Sequence, residues 1–191
     1  MKPETFAKYF SYLFVPTTFT LWLYIFASIS FTKQPKIGVI LAFVFTFILP
    51  LIIFISLKKY GKIKDYDASI KEERTFLYFV GIVLCLIGYA ISCNYKLNEN
   101  FTILWIIYAV NTSVLIIINK FWKISAHMIG VSAPIAAFIY WGSINALLFL
   151  IICVILAWAR LRLKMHTISQ IIVGFLFGFL LTYIQLNLFL G

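Results

Sequence analysis

Ala159-Arg160-Leu161-Arg162-Leu163-Lys164-Met165-His166-Thr167-Ile168-Ser169-Gln170 is the densest polar stretch in a chain that is 63% hydrophobic. It stands between two apolar runs, residues 143–158 and 171–190. Long apolar runs joined by short polar turns are the pattern of helices that cross a bilayer, because a spanning backbone must satisfy its own hydrogen bonds. Moving outward, the pattern repeats over residues 9–31, 37–57, 75–93, 101–118, 126–141 and 144–158. No segment alternates with a period of two, which argues against a barrel. The expected fold is all-α, a polytopic transmembrane helical bundle of six or seven spans, in a single domain of 191 residues.

Mean hydropathy is +1.02 and only 12% of residues are charged. That composition excludes an ordinary soluble domain. The net charge of +10 sits in the turns between runs, where membrane topology puts it, and does not imply a nucleic-acid partner. Cys85, Cys93 and Cys153 fall in or at the ends of apolar runs with no metal or redox spacing, and read as packing residues. The first run is long and lacks a small-residue cleavage site behind it, so it reads as an uncleaved span with Pro16 as a kink. Run 126–141 is short for a bilayer and is expected to lie partly inside the bundle. Asn111, Thr112 and Ser113 fall in mid-span and are expected to bond a neighbouring helix. Gly174 and Gly178 form a GxxxG on the last run, which permits close helix contact.

With seven crossings, every Lys and Arg except Lys33, Lys36 and Lys96 falls on the face that holds the N-terminus. The positive-inside rule makes that face cytoplasmic. Three polar islands share it: Glu73-Arg74, Lys123-Ile124-Ser125-Ala126-His127, and Ala159-Arg160 with His166 and Gln170. His166 and Gln170 are four apart. A Gln amide oxygen at that spacing can accept a proton from one imidazole nitrogen and orient the ring. Ser125 is placed to cap the fifth helix or to meet an anion at its N-terminus. Trp122 and Trp158 read as interfacial anchors.

The order of these islands resembles the type 2 phosphatidic acid phosphatase superfamily of integral-membrane lipid phosphatases. That family carries Lys…Arg-Pro, Pro-Ser-Gly-His and Ser-Arg-x5-His-x3-Asp motifs. Here Arg74 is followed by Thr75, and the family Lys falls on Asp67, with Lys71 or Lys123 as substitutes for its charge. Ile124-Ser125-Ala126-His127 keeps the Ser and His, and Ala159-Arg160-x5-His166-x3-Gln170 keeps the Arg and His. Gln170 stands at the family Asp. The resemblance covers about residues 74–178. It implies a membrane phosphatase for a lipid phosphate or isoprenoid (di)phosphate, with other membrane lipids as surroundings and no cofactor or metal. It further implies that His166 attacks phosphorus, that His127 protonates the leaving oxygen, and that Gln170 orients His166. Arg74, Arg160, Ser125 and Lys123 would hold the phosphate. Gln170 keeps a second reading open, a degenerate relative that binds or moves a phospholipid without hydrolysis. A channel or transporter would need a charged residue within a span.

Overall fold

A computed structural model of the chain describes residues 2–63 and 71–191, so the family-Lys position Asp67 and the side chain of Lys71 lie outside the described residues. Among the described residues the chain is helical: α1 (Pro3–Leu13), α2 (Pro16–Phe31), α3 (Pro35–Lys59), α4 (Lys71–Asn94), α5 (Glu99–Phe121), α6 (Ala126–Tyr140), α7 (Asn145–Arg162) and α8 (Ile168–Leu190). Five of these helices, α3, α4, α5, α7 and α8, are long and apolar enough to cross a membrane. The pair α1 and α2 would make a sixth span, bent by 49° at its break.

Proline decides two local shapes. Pro16 has no N–H to return to the helical turn before it, so α1 stops at Leu13 and α2 starts afresh with Pro16 in its first turn. The Thr18 hydroxyl then donates to the Leu13 carbonyl at 3.1 Å, satisfying one of the acceptors left at the end of α1. In α3, residues Ala42–Ile48 widen into a π-helix just before Pro50. A proline ring crowds the carbonyl four residues earlier, here that of Thr46, and a wider turn relieves the clash.

Four helices end in the same way. After α3, α4, α6 and α7 the chain places Gly61, Lys96, Gly142 and Lys164 at φ +70°, +50°, +64° and +53°. The next residue in each case donates back to a carbonyl of the last turn: Lys62 to Leu57, Leu97 to Ser92, Ser143 to Phe138 and Met165 to Arg160. This is the left-handed cap that satisfies terminal carbonyls. Glycine adopts it without strain at two positions; at the other two a lysine does, adding its charge beside the negative end of the helix.

The described contacts divide into two compact units: residues 20–121 with 190, and residues 1–19 with 122–189 and 191. In the middle unit α4 and α5 pack as a hairpin around Trp105, which is fully buried. The Trp105 ring lies against the Gly88 backbone, where a Cβ would meet it at 2.8 Å, and its indole N–H donates to Ser92 Oγ at 2.9 Å. Tyr24 and Phe101 complete the cluster, with centroids 4.2 and 6.1 Å from Trp105. Between helices in a bilayer such dispersion and hydrogen bonding replace the hydrophobic effect as the force for contact. Ser113, expected to bond a neighbouring helix, donates instead to the Ala109 carbonyl of its own helix at 2.8 Å. Its hydroxyl reaches the carbonyl four residues back more readily than it reaches across to another helix.

The terminal unit is built on α6. Every residue from His127 to Phe138 is buried, so this helix is the core of the unit. At 15 residues it rises about 22 Å, short of a hydrocarbon layer of about 30 Å. Its small residues let neighbours approach. Gly130 lies under Pro16, and Gly178 of α8 lies over Ser132 and the Ile129 carbonyl, which a Cβ would meet at 2.8 Å. α7 packs along α6 after the turn at Gly142, and α1 packs along α7. The GxxxG of the last helix is thus the contact surface for α6.

Candidate functional site

The sequence-predicted residues fall in both units. Arg74 belongs to the middle unit, in the first turns of α4, where it is 5% exposed and interacts with the Tyr78 phenol. Ser125, His127, Arg160, His166 and Gln170 belong to the terminal unit, with Lys123 half-buried just before α6. Two clefts open in the middle unit, both lined in part by Leu57, Lys62 and Phe76, and neither is lined by a residue of the predicted set.

His166 closes the short connection between α7 and α8 and is 6% exposed. It precedes the helix rather than lying on it. Thr167 is the N-cap, its hydroxyl accepting from the Gln170 N–H at 3.3 Å, and Gln170 Oε1 accepts from the Thr167 N–H at 3.1 Å. This reciprocal capping box is written in the sequence as Thr-x-x-Gln, a signal that the spacing argument about His166 passed over. The same Oε1 lies 3.1 Å from His166 Nδ1. A backbone N–H can only donate, so the amide atom facing it is the oxygen. Nδ1 of His166 must therefore carry the proton, and Nε2 of the neutral ring carries the lone pair.

His127 is the second residue of α6 and is 7% exposed. Its Nε2 lies 3.2 Å from the backbone carbonyl of Ser11, in the last turn of α1. A carbonyl only accepts, so Nε2 carries the proton and the neutral ring keeps its lone pair on Nδ1. The two imidazoles are thus held as opposite tautomers.

Ser125 takes the N-cap position of α6, yet its hydroxyl does not cap. The side chain is fully buried and Oγ makes no hydrogen bond. The backbone N–H of Ser125 donates to the Gln170 carbonyl at 3.3 Å, and the Ser125 carbonyl would meet a Cβ on Gly174 at 3.0 Å. The start of α6 is therefore fastened to the first turn of α8, one helix turn from His166.

Arg160, expected in the loop beyond the sixth run, lies inside α7 and is 1% exposed. The helix continues past Trp158 because cations suit a helix C-terminus and an arginine stem packs as an apolar chain. Its carbonyl accepts the cap from Met165, the neighbour of His166, at 3.1 Å. Arg162, the last residue of the same helix, is exposed and pairs with Glu4 of α1 at 2.6 Å. Trp158 and Trp122 are partly exposed, and Phe6 of α1 lies against Trp158 with centroids 6.1 Å apart. Ser11 and α1 have no counterpart in the sequence-level site.

Among the described residues no three His, Cys, Asp or Glu side chains converge as a metal site would need. No known protein family, characterised protein or solved structure matches this chain. Fold and hydropathy define a polytopic helical membrane protein whose terminal unit buries Ser125, His127, Arg160 and His166, with Gln170 half-buried beside His166.

Proposed function

We propose that this protein is a membrane phosphatase acting on a lipid phosphate or an isoprenoid (di)phosphate, its polar site on the cytoplasmic face. Phosphoryl transfer asks a protein to clamp the phosphate oxygens and to align the entering and leaving atoms. The Nε2 lone pair of His166 would attack phosphorus, giving a phosphohistidine as the P–O bond to the lipid breaks. His127, entering the cycle as the imidazolium, would give the leaving oxygen its Nδ1 proton while Nε2–H stays on the Ser11 carbonyl. The neutral Nδ1 would then take a proton from the water that releases phosphate and restores His166. Arg160 and Ser125 would hold the phosphate oxygens beside the N-terminus of α6, with Lys123 adding charge.

One observation carries this reading. Gln170 Oε1 receives both the Thr167 N–H and His166 Nδ1, so the nucleophilic tautomer is preset before substrate arrives. The test is phosphate release from a panel of lipid phosphates without added metal, together with trapping of an acid-labile, base-stable phosphoenzyme. Both should be present in the wild type and absent in His166→Ala.

A second reading, non-hydrolytic binding of a phospholipid, is favoured by the neutrality of Gln170. A carboxylate stabilises the imidazolium that forms on proton transfer, whereas an amide only orients the ring. Wild-type release no higher than that of His166→Ala across the panel would select this reading and end the first.

A further inference from the structure

We infer that Ser11 of α1 is a phosphate-binding residue, its hydroxyl acting with that of Ser125 as a pair of donors to the oxygens of a phosphoryl group. The inference rests on the phosphate-handling reading of the terminal unit and adds to it a helix outside the stretch that resembles a phosphatase.

The first observation is an exception within this chain. A serine or threonine in an apolar helix usually satisfies its hydroxyl on the carbonyl four residues back. Thr32 does so on Ser28, Thr46 on Ala42, Ser92 on Gly88 and Ser113 on Ala109, at 2.7 to 2.8 Å. Ser11 has the Ala7 carbonyl at the same spacing and does not use it. Its Oγ is buried without a hydrogen-bond partner, and the residue is 1% exposed. Ser125 Oγ is in the same condition. A donor left unsatisfied in an apolar surrounding is unfavourable, and a ligand with acceptor oxygens removes the penalty.

The second observation is where the two hydroxyls lie. The carbonyl of Ser11 receives Nε2 of His127 at 3.2 Å, and His127 is two residues beyond Ser125. Both orphan hydroxyls thus belong to residues joined to the same histidine, Ser11 through its carbonyl and Ser125 two positions before it, at the positive end of α6. Phosphate oxygens only accept, and they suit O–H donors placed between a helix N-terminus and a histidine. α1 is held to the unit independently of Ser11, by the Glu4–Arg162 pair and by Phe6 on Trp158. Removing the Ser11 hydroxyl therefore leaves the docking of α1 intact.

The experiment uses the purified full chain in detergent and two probes. Inorganic phosphate is titrated calorimetrically, and a short-chain lipid phosphate is used for steady-state hydrolysis. Ser11→Ala should weaken phosphate binding and raise KM about tenfold each, as expected for one lost hydrogen bond to a charged acceptor, with kcat within about twofold. Ser11→Thr keeps the hydroxyl and should restore both constants. Ser11→Cys, near in shape but a poor donor, should behave as Ser11→Ala and serves if the alanine variant does not fold. A raised KM with unchanged binding of inorganic phosphate would assign the hydroxyl to the esterified headgroup alone and supports the inference. Kd and KM within twofold of wild type in both Ser11→Ala and Ser11→Cys, while His166→Ala abolishes turnover, would make Ser11 a packing residue and leave the phosphatase reading standing. A wild type that neither binds nor releases phosphate would remove both.

Discussion

At the scale of single residues, Gln170 has two duties that one atom performs. Its Oε1 closes the capping box of α8 and holds Nδ1 of His166. Gln170→Ala should therefore lose stability as well as turnover. Loss of a cap amounts to about 1 kcal/mol, or a fall in melting temperature of roughly 2–4 °C for a chain of this size. Thermal unfolding in detergent checks it. Gln170→Glu keeps the reach and adds a charge beside Nδ1–H, so the imidazolium of His166 is favoured and its pKa should rise. Histidine NMR titration should show the His166 resonance moving to higher pH in that variant, with His127 unchanged. The two left-handed glycines make a cleaner test of backbone strain. Gly142 has φ +64° and open space where a Cβ would go. Gly142→Ala should still destabilise by about 1–2 kcal/mol, because the strain is conformational and not steric. An unchanged melting temperature would remove that account of the turn.

Between helices, the contact of α6 with α8 decides how the site is held. Gly178 stands over the Ile129 backbone and Ser132, and Gly174 over Ser125 and Met128. Backbone atoms cannot step aside as a side-chain tip can. Gly178→Ala should separate the helices, with a loss of about 1–3 kcal/mol typical of overpacking. Gly174→Ala meets Ser125 O at 3.0 Å and Met128 Cβ at 3.3 Å, a milder crowding at the start of α6. It should lower turnover more than stability, since the displaced group is the Ser125–Gln170 link beside His166. Comparing kcat with the unfolding midpoint for the two variants separates these effects. The α1–α2 break matters in the same way. Pro16→Ala would supply an N–H for a continuous helix and draw the Ser11 carbonyl from His127. Its expected signature is reduced turnover and reduced protection of the His127 ring proton from exchange.

Across the molecule, the distribution of charge makes a prediction about orientation. Lys62 follows α3 and Lys33 follows α2, so the two lie at opposite ends of one span. The excess of Lys and Arg on the Lys62 side predicts, under the positive-inside rule, that this side faces the cytoplasm. A cysteine placed at Lys62 should resist a membrane-impermeant maleimide in intact cells, and one at Lys33 should react. The reverse result would overturn the orientation drawn from the charge distribution.

Hydropathy alone pointed to helices apolar enough to cross a membrane, and it located most of them to within a few residues. The first run, read as one span from residue 9, is two helices that begin at Pro3 and break before Pro16. Burial in hydrocarbon depends on local composition, and a backbone that must bond itself has few alternatives. The four-residue step from His166 to Gln170 and the Thr-x-x-Gln cap were legible for the same reason, since both are local. Arg160 was misplaced because hydropathy ends a helix at its first charge. The structure carries α7 past Trp158 to Arg162 and buries Arg160. Only tertiary structure could join Ser11 to His127, which are 116 residues apart. That contact depends on how α1 turns at Pro16 and packs on α7, and on which carbonyl of its last turn lacks a helical donor. Packing likewise left the hydroxyls of Ser11 and Ser125 buried and unsatisfied, whereas Ser92 and Ser113, the same residue type in apolar helices, bond their own backbones.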